Sequence, residues 1–268
     1  MEKEIWDSLW GRALSFEEDL FLLAKLEMSV DFDRISKIVI SMFGSFEGLK
    51  VIELGAGSGK MSLLFAKRGA NVTVLDYSDK ALARSKQLFE RYAVNCNLVL
   101  ADVLNLDEKL RNRYDVSMSF GLAEHFRGKE RMKVIEAHFD VIKKNGLCFI
   151  STPSKMNVPY RIWRFITQIS KEWEEYPFSR REYMEYAKRL NPKEIQFIGG
   201  SIFPSNAYDW LHWLRFLIIN KCFPFNMILS QKLEIRESKK FDLKKIKKEK
   251  GTFLDQYVGY ALVLVLRK

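Results

Sequence analysis

Cysteine and histidine are scarce in this sequence, and neither is spaced as metal ligands are. The chain of 268 residues contains three cysteines and three histidines. Cys96, Cys148 and Cys222 lie far apart, and no two histidines have the spacing of a metal-binding pair. We therefore expect buried, reduced thiols, no metal site and a cytoplasmic location.

Long apolar runs and targeting patterns are also missing. No stretch of ~18 or more uncharged apolar residues occurs, which argues against a transmembrane helix. The opening segment, MEKEIWDSLW, has no signal-peptide pattern. The hydrophobic content of 47% is nevertheless sufficient for a sizeable core, so the composition predicts a folded α/β domain.

Acidic residues are outnumbered by basic ones, but the imbalance is local. The formal net charge is +10, and residues 221–250 contain ten Lys or Arg against four Asp or Glu. Because this excess lies in one late segment, it does not mark the whole protein as a nucleic-acid binder, and no RNA-binding motif accompanies it. The basic segment also suits contact with an acidic membrane surface.

The stretch from Val51 to Lys60 carries the strongest pattern in the chain. Apolar residues up to Leu54 predict a buried strand, glycines at alternate positions from Gly55 predict a turn, and a helix-forming segment follows. Glycine lets a ligand lie against bare backbone, and the start of the helix presents unpaired N–H groups. This order of elements predicts a small-molecule cradle in an open α/β sheet.

Two common nucleotide-binding loops fit this stretch poorly. A phosphate-binding loop needs glycine at the position of Leu54 and a hydroxyl residue at the position of Met61. A dinucleotide fingerprint needs its third glycine where Lys60 stands. The phosphate loop is excluded, whereas a nicotinamide-dependent oxidoreductase stays open as a weaker alternative.

The stretch from Val51 to Lys60 contains the motif E-x-G-x-G-x-G, which begins at Glu53. This motif resembles the first motif of class I S-adenosylmethionine (SAM)-dependent methyltransferases. A later segment, with Asp115, Val116, Glu124 and His125, is similar to the subgroup of that family called type 11. The resemblance implies SAM as cofactor and S-adenosylhomocysteine (SAH) as product. It also implies a Rossmann-like α/β fold, in which a seven-stranded sheet has helices on both faces and the last strand is antiparallel.

Strand and helix patterns alternate along the chain, as they do in a parallel sheet with right-handed crossovers. The predicted strands cover residues 50–54, 71–76, 96–100, 114–120, 147–152, 194–199 and 256–266, and predicted helices include 129–143 and 180–189. We expect Ser179 to cap the second of these helices. Ligand contacts should collect at the carboxyl ends of the strands.

Polar residues follow several of these carboxyl ends. Asp76 comes about 20 residues after the first glycine, where an acid contacts ribose hydroxyls, and a carboxylate accepts from both hydroxyls of a diol. In the resembled family, the positions of Asp102 and Val103 meet the adenine amino group and ring. Both aspartates also suit turns without a ligand. The resemblance assigns cofactor binding to Glu53, Gly55, Ala56, Gly57, Gly59, Asp76, Tyr77, Asp102, Val103, Ser119 and Gly121.

His125 is the candidate general base, since histidine titrates near neutral pH and this one follows the fourth strand. The alternative, which we favour on the residues alone, is that His125 packs beneath the cofactor or caps a helix. Methyl transfer needs a base only when the acceptor arrives protonated, so the lack of a catalytic triad is no objection.

Aromatic residues are concentrated outside the predicted cofactor core. We expect one methyltransferase domain over 1–268, with N-terminal helices or a lid over 1–48, a SAM-binding core over 49–153, a cap insertion over 154–193 and a C-terminal part over 194–268. A helical, basic insertion would occupy 202–252. The aromatic segments would form a helical cap over the acceptor, although ordinary core packing explains most such rings.

The predicted function is transfer of a methyl group from SAM to a small-molecule acceptor of apolar or lipid-like character, with peripheral membrane contact as a further expectation. Three alternatives stay open. They are an RNA or protein methyltransferase that uses residues 221–250, a nicotinamide-dependent oxidoreductase and a non-catalytic SAM-binding protein. No pattern in the sequence indicates the acceptor atom or the oligomeric state.

Overall fold

The computed structural model describes residues 3–11, 16–158, 160–161, 175–200, 248, 251–252 and 254–268. The helices are α1 (Lys3–Gly11), α2 (Phe16–Glu27), α3 (Val30–Phe43), α4 (Lys60–Ala66), α5 (Asp79–Arg91), α6 (Gly128–Val141), α7 (Arg180–Arg189) and α8 (Asp255–Val258). The strands are β1 (Lys50–Leu54), β2 (Asn71–Asp76), β3 (Asn97–Leu100), β4 (Tyr114–Phe120), β5 (Ile142–Pro153), β6 (Glu194–Gly199) and β7 (Ala261–Arg267). Among the helices described, none combines the length and the apolar character that a membrane span requires.

The seven strands that the structure describes form one sheet in the order β3-β2-β1-β4-β5-β7-β6. The first five strands are mutually parallel where they pair, and Val51 of β1 lies between Val72 of β2 and Val116 of β4. Strand β7 is antiparallel to both of its neighbours and enters between them, with Cys148 of β5 opposite Leu266. The predicted seven-stranded class I topology, with its antiparallel last strand, is therefore confirmed.

The sheet is covered on both faces, which is why its central strands read as continuous apolar runs. Successive side chains of a strand point to opposite faces. On β1, Val51 packs with residues of α3, α4 and α5, whereas Ile52 and Leu54 pack with residues of α6 and α7. Two hydrophobic cores result, one on each side of the sheet, and the prediction of helices on both faces is confirmed.

Helix starts follow the expected capping chemistry. The hydroxyl of Ser179 accepts a hydrogen bond from the backbone N–H of Glu182, whose carboxylate accepts from the N–H of Ser179 in return. This capping box confirms the predicted start of α7. Ser78 caps α5 in the same way by accepting from the N–H of Ala81 at 3.2 Å. Because Ser78 follows β2 directly, its cap also fixes the chain at the end of that strand.

Two predicted boundaries are wrong. Strand β5 begins at Ile142, so the predicted helix to residue 143 ends two residues early and the turn residues before Leu147 are an irregularity within the strand. Strand β7 begins at Ala261 instead of residue 256, because residues 255–258 form α8. The side chain of Thr252 donates to the Asp255 carboxylate at 2.9 Å, which stabilises this short turn of helix.

The predicted subdivisions are described in part. Residues 3–11 and 16–48 contain three helices, in keeping with the expected N-terminal segment. Within the predicted cap insertion, α7 packs on the sheet, and Phe178 and Tyr183 are fully buried in the second core. These two rings therefore belong to the hydrophobic core, as ordinary core packing predicted for most of the aromatic residues. Of the predicted insertion over 202–252, all but residues 248 and 251–252 lies outside the described residues, as do residues 162–174.

Candidate cofactor and active site

A cavity opens at the carboxyl ends of β1, β2, β3 and β4, and α1 lies across it. Its lining residues are Trp6, Trp10, Gly55, Ala56, Gly57, Leu75, Asp76, Tyr77, Ala101, Asp102, Val103, Leu104, Phe120, Gly121, Leu122, His125 and Phe126. Ligands of open α/β sheets bind at this edge. The cavity is therefore the candidate functional site.

The glycine turn forms one wall of the cavity with bare backbone. Gly55 and Gly57 have φ of 61° and 56°, a conformation that disfavours any residue with a Cβ atom. A Cβ added at Gly55 would lie 2.5 Å from Cδ1 of Leu122, and one at Gly57 would lie 2.3 Å from Cζ2 of Trp10. Glycine is thus required for the turn and for the close approach of neighbouring groups.

Asp76 ties the glycine turn to the end of β2. One of its carboxylate oxygens accepts from the N–H of Gly57 at 2.8 Å, and the other accepts from the N–H of Ser78 at 2.9 Å. Burial raises the pKa of Asp76, whereas the backbone hydrogen bonds oppose that shift. Each oxygen retains a further lone pair, so the carboxylate can still accept from hydroxyls of a ligand in the cavity.

Glu53 supports the turn from beneath and does not line the cavity. Its Oε2 accepts from the backbone N–H and the hydroxyl of Ser62, at 3.0 and 2.6 Å. The residue is only 3% exposed. Burial raises the pKa of Glu53 to about 7, against the opposing effect of both hydrogen bonds from Ser62. The carboxyl group therefore joins the end of β1 to the first turn of α4.

Lys60 points away from the cavity, which agrees with the exclusion of a phosphate loop. Its Nζ lies 3.0 Å from Oδ1 of Asp19 in α2, and Asp19 is also paired with Arg84 at 3.0 Å. The same Nζ donates to the hydroxyl of Ser58 at 2.8 Å. The lysine that a phosphate loop would direct at its ligand is instead used to fasten α2 to the glycine turn.

The end of the cavity farthest from β4 is formed by residues that follow β3. Val103 is buried there, and Asp102 is exposed and accepts from the backbone N–H of Leu104 at 2.9 Å. This hydrogen bond caps a short 3₁₀ helix, so the turn role considered for Asp102 is present. Tyr77 lines the cavity beside them, and burial raises the pKa of its hydroxyl. Apolar surface with one carboxylate at its rim suits a flat heteroaromatic ring with an amino group.

The end of β4 closes the other side. Gly121, with φ of 84°, turns the chain, and its N–H donates to the carbonyl of Ser151 at 3.0 Å. His125 follows in a 3₁₀ turn and lines the cavity, where its ring meets Trp6 edge to face with centroids 4.8 Å apart. Ser119 is buried within the strand and does not reach the cavity.

Segment 175–179 holds the turn that carries His125. The N–H of Tyr176 donates to the carbonyl of Glu124 at 2.7 Å. The buried guanidinium of Arg131 bridges the two segments, because it donates to the carbonyls of Phe126 and Tyr176, both at 2.8 Å. The position of His125 therefore depends on a buried arginine six residues further along the chain.

The structure brings most of the predicted site residues to this one cavity. Those that line it are Gly55, Ala56, Gly57, Asp76, Tyr77, Asp102, Val103, Gly121 and His125. Glu53, Gly59 and Ser119 lie behind it, and their cofactor contacts stay predictions. Sequence reasoning did not assign Trp6 and Trp10 to the site, although their spacing of four residues indicated a shared helix face.

These features fit an adenosine-type ligand. The glycine turn lines the cavity, with Leu122 and Trp10 packed over Gly55 and Gly57, the Asp76 carboxylate can accept from a ribose diol, and the apolar wall near Val103 accommodates a ring. With the sheet order, this arrangement defines a Rossmann-like nucleoside-binding enzyme class.

Comparison with known proteins narrows that class. Residues 51–146 match the methyltransferase domain family. The chain is 34% identical over 107 residues to a ubiquinone biosynthesis O-methyltransferase of Pseudomonas aeruginosa, with 39% of this chain and 44% of that protein covered. It is 28% identical over 149 residues to phosphoethanolamine N-methyltransferase 1 of Zea mays, with 52% and 30% covered. A crystal structure of magnesium protoporphyrin IX methyltransferase from Synechocystis PCC 6803 with bound SAH has a TM-score of 0.54 at 17% identity, with 74% of this chain and 87% of that chain covered.

Residues 51–146 therefore contain a methyltransferase domain, and the similarities to methyltransferases, one of them with bound SAH, support SAM as its cofactor. The match to the domain family contains the glycine turn, Asp76, Asp102 and the His125 segment. The chain spans less than half the length of the two curated relatives, at 44% and 30%.

Proposed function

We propose that this protein transfers a methyl group from SAM to a small, largely apolar acceptor. The observation that carries the proposal is the single cavity in which the glycine turn, Asp76, Gly121 and His125 meet at the carboxyl edge of the sheet. When bound, SAM would supply a methyl group whose carbon a nucleophile attacks in line, while the carbon–sulfur bond breaks and a neutral thioether leaves. The protein's task is then to bind, to orient and to exclude water.

The roles follow the geometry around the cavity. The amino-acid end of the cofactor lies beside the glycine turn, where Leu122 and Trp10 cover Gly55 and Gly57, and Asp76 accepts from the ribose hydroxyls. Asp102 and the backbone of Val103 meet the adenine. The approach to the methyl group then lies toward the end of β4, past Gly121. Helix α1 covers this path and keeps water from it.

His125 is proposed as a proton acceptor for an acceptor molecule that arrives protonated. The residue lines the cavity on the side opposite the proposed adenine site, and its turn is held by Arg131. In that reaction the acceptor atom forms a bond to the methyl carbon, and its proton passes to the ring nitrogen of His125. An acceptor with a free lone pair needs no such step.

The wall near His125 favours an apolar acceptor. It contains the side chains of Phe120, Leu122 and Phe126, which provide dispersion contacts and no fixed charge. Large apolar side chains are also exposed at Met156 and Val158, each 57% accessible. With the basic segment 221–250, such residues support peripheral contact with an anionic membrane as the source of the acceptor.

Transfer of tritium from methyl-labelled SAM tests the proposal. Protein is incubated with separate lipid, polar small-molecule, RNA and protein fractions of a cell extract. We expect label in the lipid or small-molecule fraction, no transfer with Asp76→Ala, and wild-type transfer with Glu108→Gln, which alters an exposed residue outside the cavity. Label in RNA or protein would instead assign a macromolecular substrate.

Binding measurements separate the remaining alternatives. Calorimetry that detects neither SAM nor SAH binding by normally folded protein would reject the proposal, and enhancement of NADH fluorescence on binding would favour an oxidoreductase. Binding of SAM without transfer to any fraction would favour a non-catalytic SAM-binding protein.

A further inference from the structure

Helix α1 places two tryptophans over the proposed cofactor site. Trp6 and Trp10 are four residues apart and so lie on one face of the helix, and both line the cavity. The six-membered ring of Trp10 covers the backbone of Gly57, where an added Cβ would lie 2.3 Å from its Cζ2. The ring of Trp6 meets His125 at a centroid distance of 4.8 Å. The two indoles thus cover the space from the glycine turn to the end of β4.

Polar contacts hold α1 on the start of α5, beside Asp76. The hydroxyl of Ser78 donates to the carboxylate of Asp7, and the ammonium group of Lys3 lies 2.8 Å from Oδ2 of Asp79. The second pair is solvent-exposed, so it contributes little. The contact between Asp7 and Ser78 is the more important anchor, because Ser78 also caps α5 and follows the cavity residue Tyr77.

The charge around the cavity favours a cation. Asp76 and Asp102 line it, and the charge of Asp7 adds to burial in raising the pKa of Asp76. No lysine or arginine is among the lining residues in the part of the chain that the structure describes. Aromatic faces attract cations through their quadrupole, and tryptophan does so most strongly. SAM carries a positive sulfonium, whereas SAH has a neutral thioether.

From these observations we infer that Trp6 and Trp10 form an aromatic wall that recognises the positive sulfonium of SAM and distinguishes it from SAH. The inference rests on the proposed function and deepens it, because it assigns the preference for charged substrate over neutral product to α1. Such a wall would favour entry of SAM and release of SAH after each transfer. The cation–π contribution corresponds to about 3- to 30-fold in affinity.

Calorimetric titration of SAM and SAH into Trp6→Leu, Trp10→Leu and the matched variants Trp6→Phe and Trp10→Phe tests the inference. Each leucine variant should lose about 3- to 30-fold in affinity for SAM with little change for SAH. The phenylalanine variants keep an aromatic face and should retain most of the preference. Ser78→Ala, which removes the hydroxyl that anchors α1 through Asp7 without removing an indole or a charge, should weaken both ligands to a similar extent.

Several outcomes would overturn the inference while leaving the proposed function intact. Leucine variants that weaken SAM and SAH equally would show a covering role without charge recognition. Tighter binding of both ligands by Trp10→Leu would show that this indole occupies the ligand's own position over Gly57. Failure of wild-type protein to bind either ligand would instead reject the proposed function itself, so the two failures are distinguishable.

Discussion

Replacement of Glu53 by glutamine should stabilise the protein above neutral pH. The Glu53 carboxyl group is buried, and burial raises its pKa from 4.5 to about 7. The folded state therefore holds a proton at pH values where the unfolded chain has lost it. Stability is full below the unfolded pKa and falls as pH rises toward the folded pKa, because the unfolded chain is stabilised by losing a proton that the native state keeps.

The size of the effect follows from the shift. At ~1.36 kcal/mol per pKa unit, ionising Glu53 costs the folded state about 3 kcal/mol, most of it between about pH 5 and about pH 8. Glutamine resembles the protonated carboxyl group, and its carbonyl oxygen can still accept from the N–H and hydroxyl of Ser62. The free energy of unfolding of Glu53→Gln should therefore rise relative to wild type by about 2–3 kcal/mol across this interval.

Urea denaturation followed by circular dichroism at several pH values measures this difference. The informative quantity is the change with pH of the free energy of unfolding of Glu53→Gln minus that of wild type. Glu108→Gln, which alters an exposed glutamate, serves as the control and should give a flat difference. A flat or falling difference for Glu53→Gln would refute the reasoning and show that its carboxylate is well stabilised in the folded protein.

Three further variants probe the site and its support. Gly55→Ala should lose about 1–3 kcal/mol of stability and most SAM binding, because its Cβ would lie 2.5 Å from Leu122 Cδ1 in a residue with positive φ. Denaturation measures the stability and calorimetry the binding, and SAM affinity equal to that of wild type would contradict the prediction. Arg131→Met should lower the free energy of unfolding by about 2–5 kcal/mol, because the carbonyls of Phe126 and Tyr176 lose their donor, and kcat should fall more than SAM affinity. Denaturation and steady-state kinetics test this, and a larger loss of SAM affinity than of kcat would contradict it. Tyr183→Phe should lower the free energy of unfolding by about 1–2 kcal/mol, because the 2.9 Å hydrogen bond to Thr152 is lost. The kinetics should not change, and altered kinetics would show that the second core is coupled to the site.

Local patterns predicted most of the sheet. The bounds of β2, β4 and β6 match the predicted ones, since each strand has apolar residues at alternate positions. The start of β5 was wrong because Asn145 and Gly146 read as a turn, whereas tertiary contacts keep these residues in the strand. The N–H of Asn145 donates to the carbonyl of Lys268 at 2.8 Å, a partner that no local pattern could reveal.

The site was predictable where the chain repeats the strand, turn and helix order. Gly55, Asp76 and Gly121 each follow a strand, so the edge that they share could be inferred without coordinates. Trp6 and Trp10 were not assigned to the site because α1 precedes the first strand by about forty residues, and the sequence does not indicate where α1 packs relative to the sheet. The inward direction of Glu53 was also missed, since the partner that fixes it, Ser62, carries no ligand signal.

The insertion of β7 between β5 and β6 has a consequence for how the chain can be made. Among the strands that the structure describes, β6 (Glu194–Gly199) pairs only with β7 (Ala261–Arg267), which comes about sixty residues later in the chain. During synthesis, β6 emerges long before this partner, so the parallel half of the sheet can assemble while β5 and β6 still lack β7. Closure of the sheet therefore waits for synthesis of β7, since this non-local pairing cannot begin earlier. Loss of β7 would leave two internal edges unpaired, each a template for association with another chain.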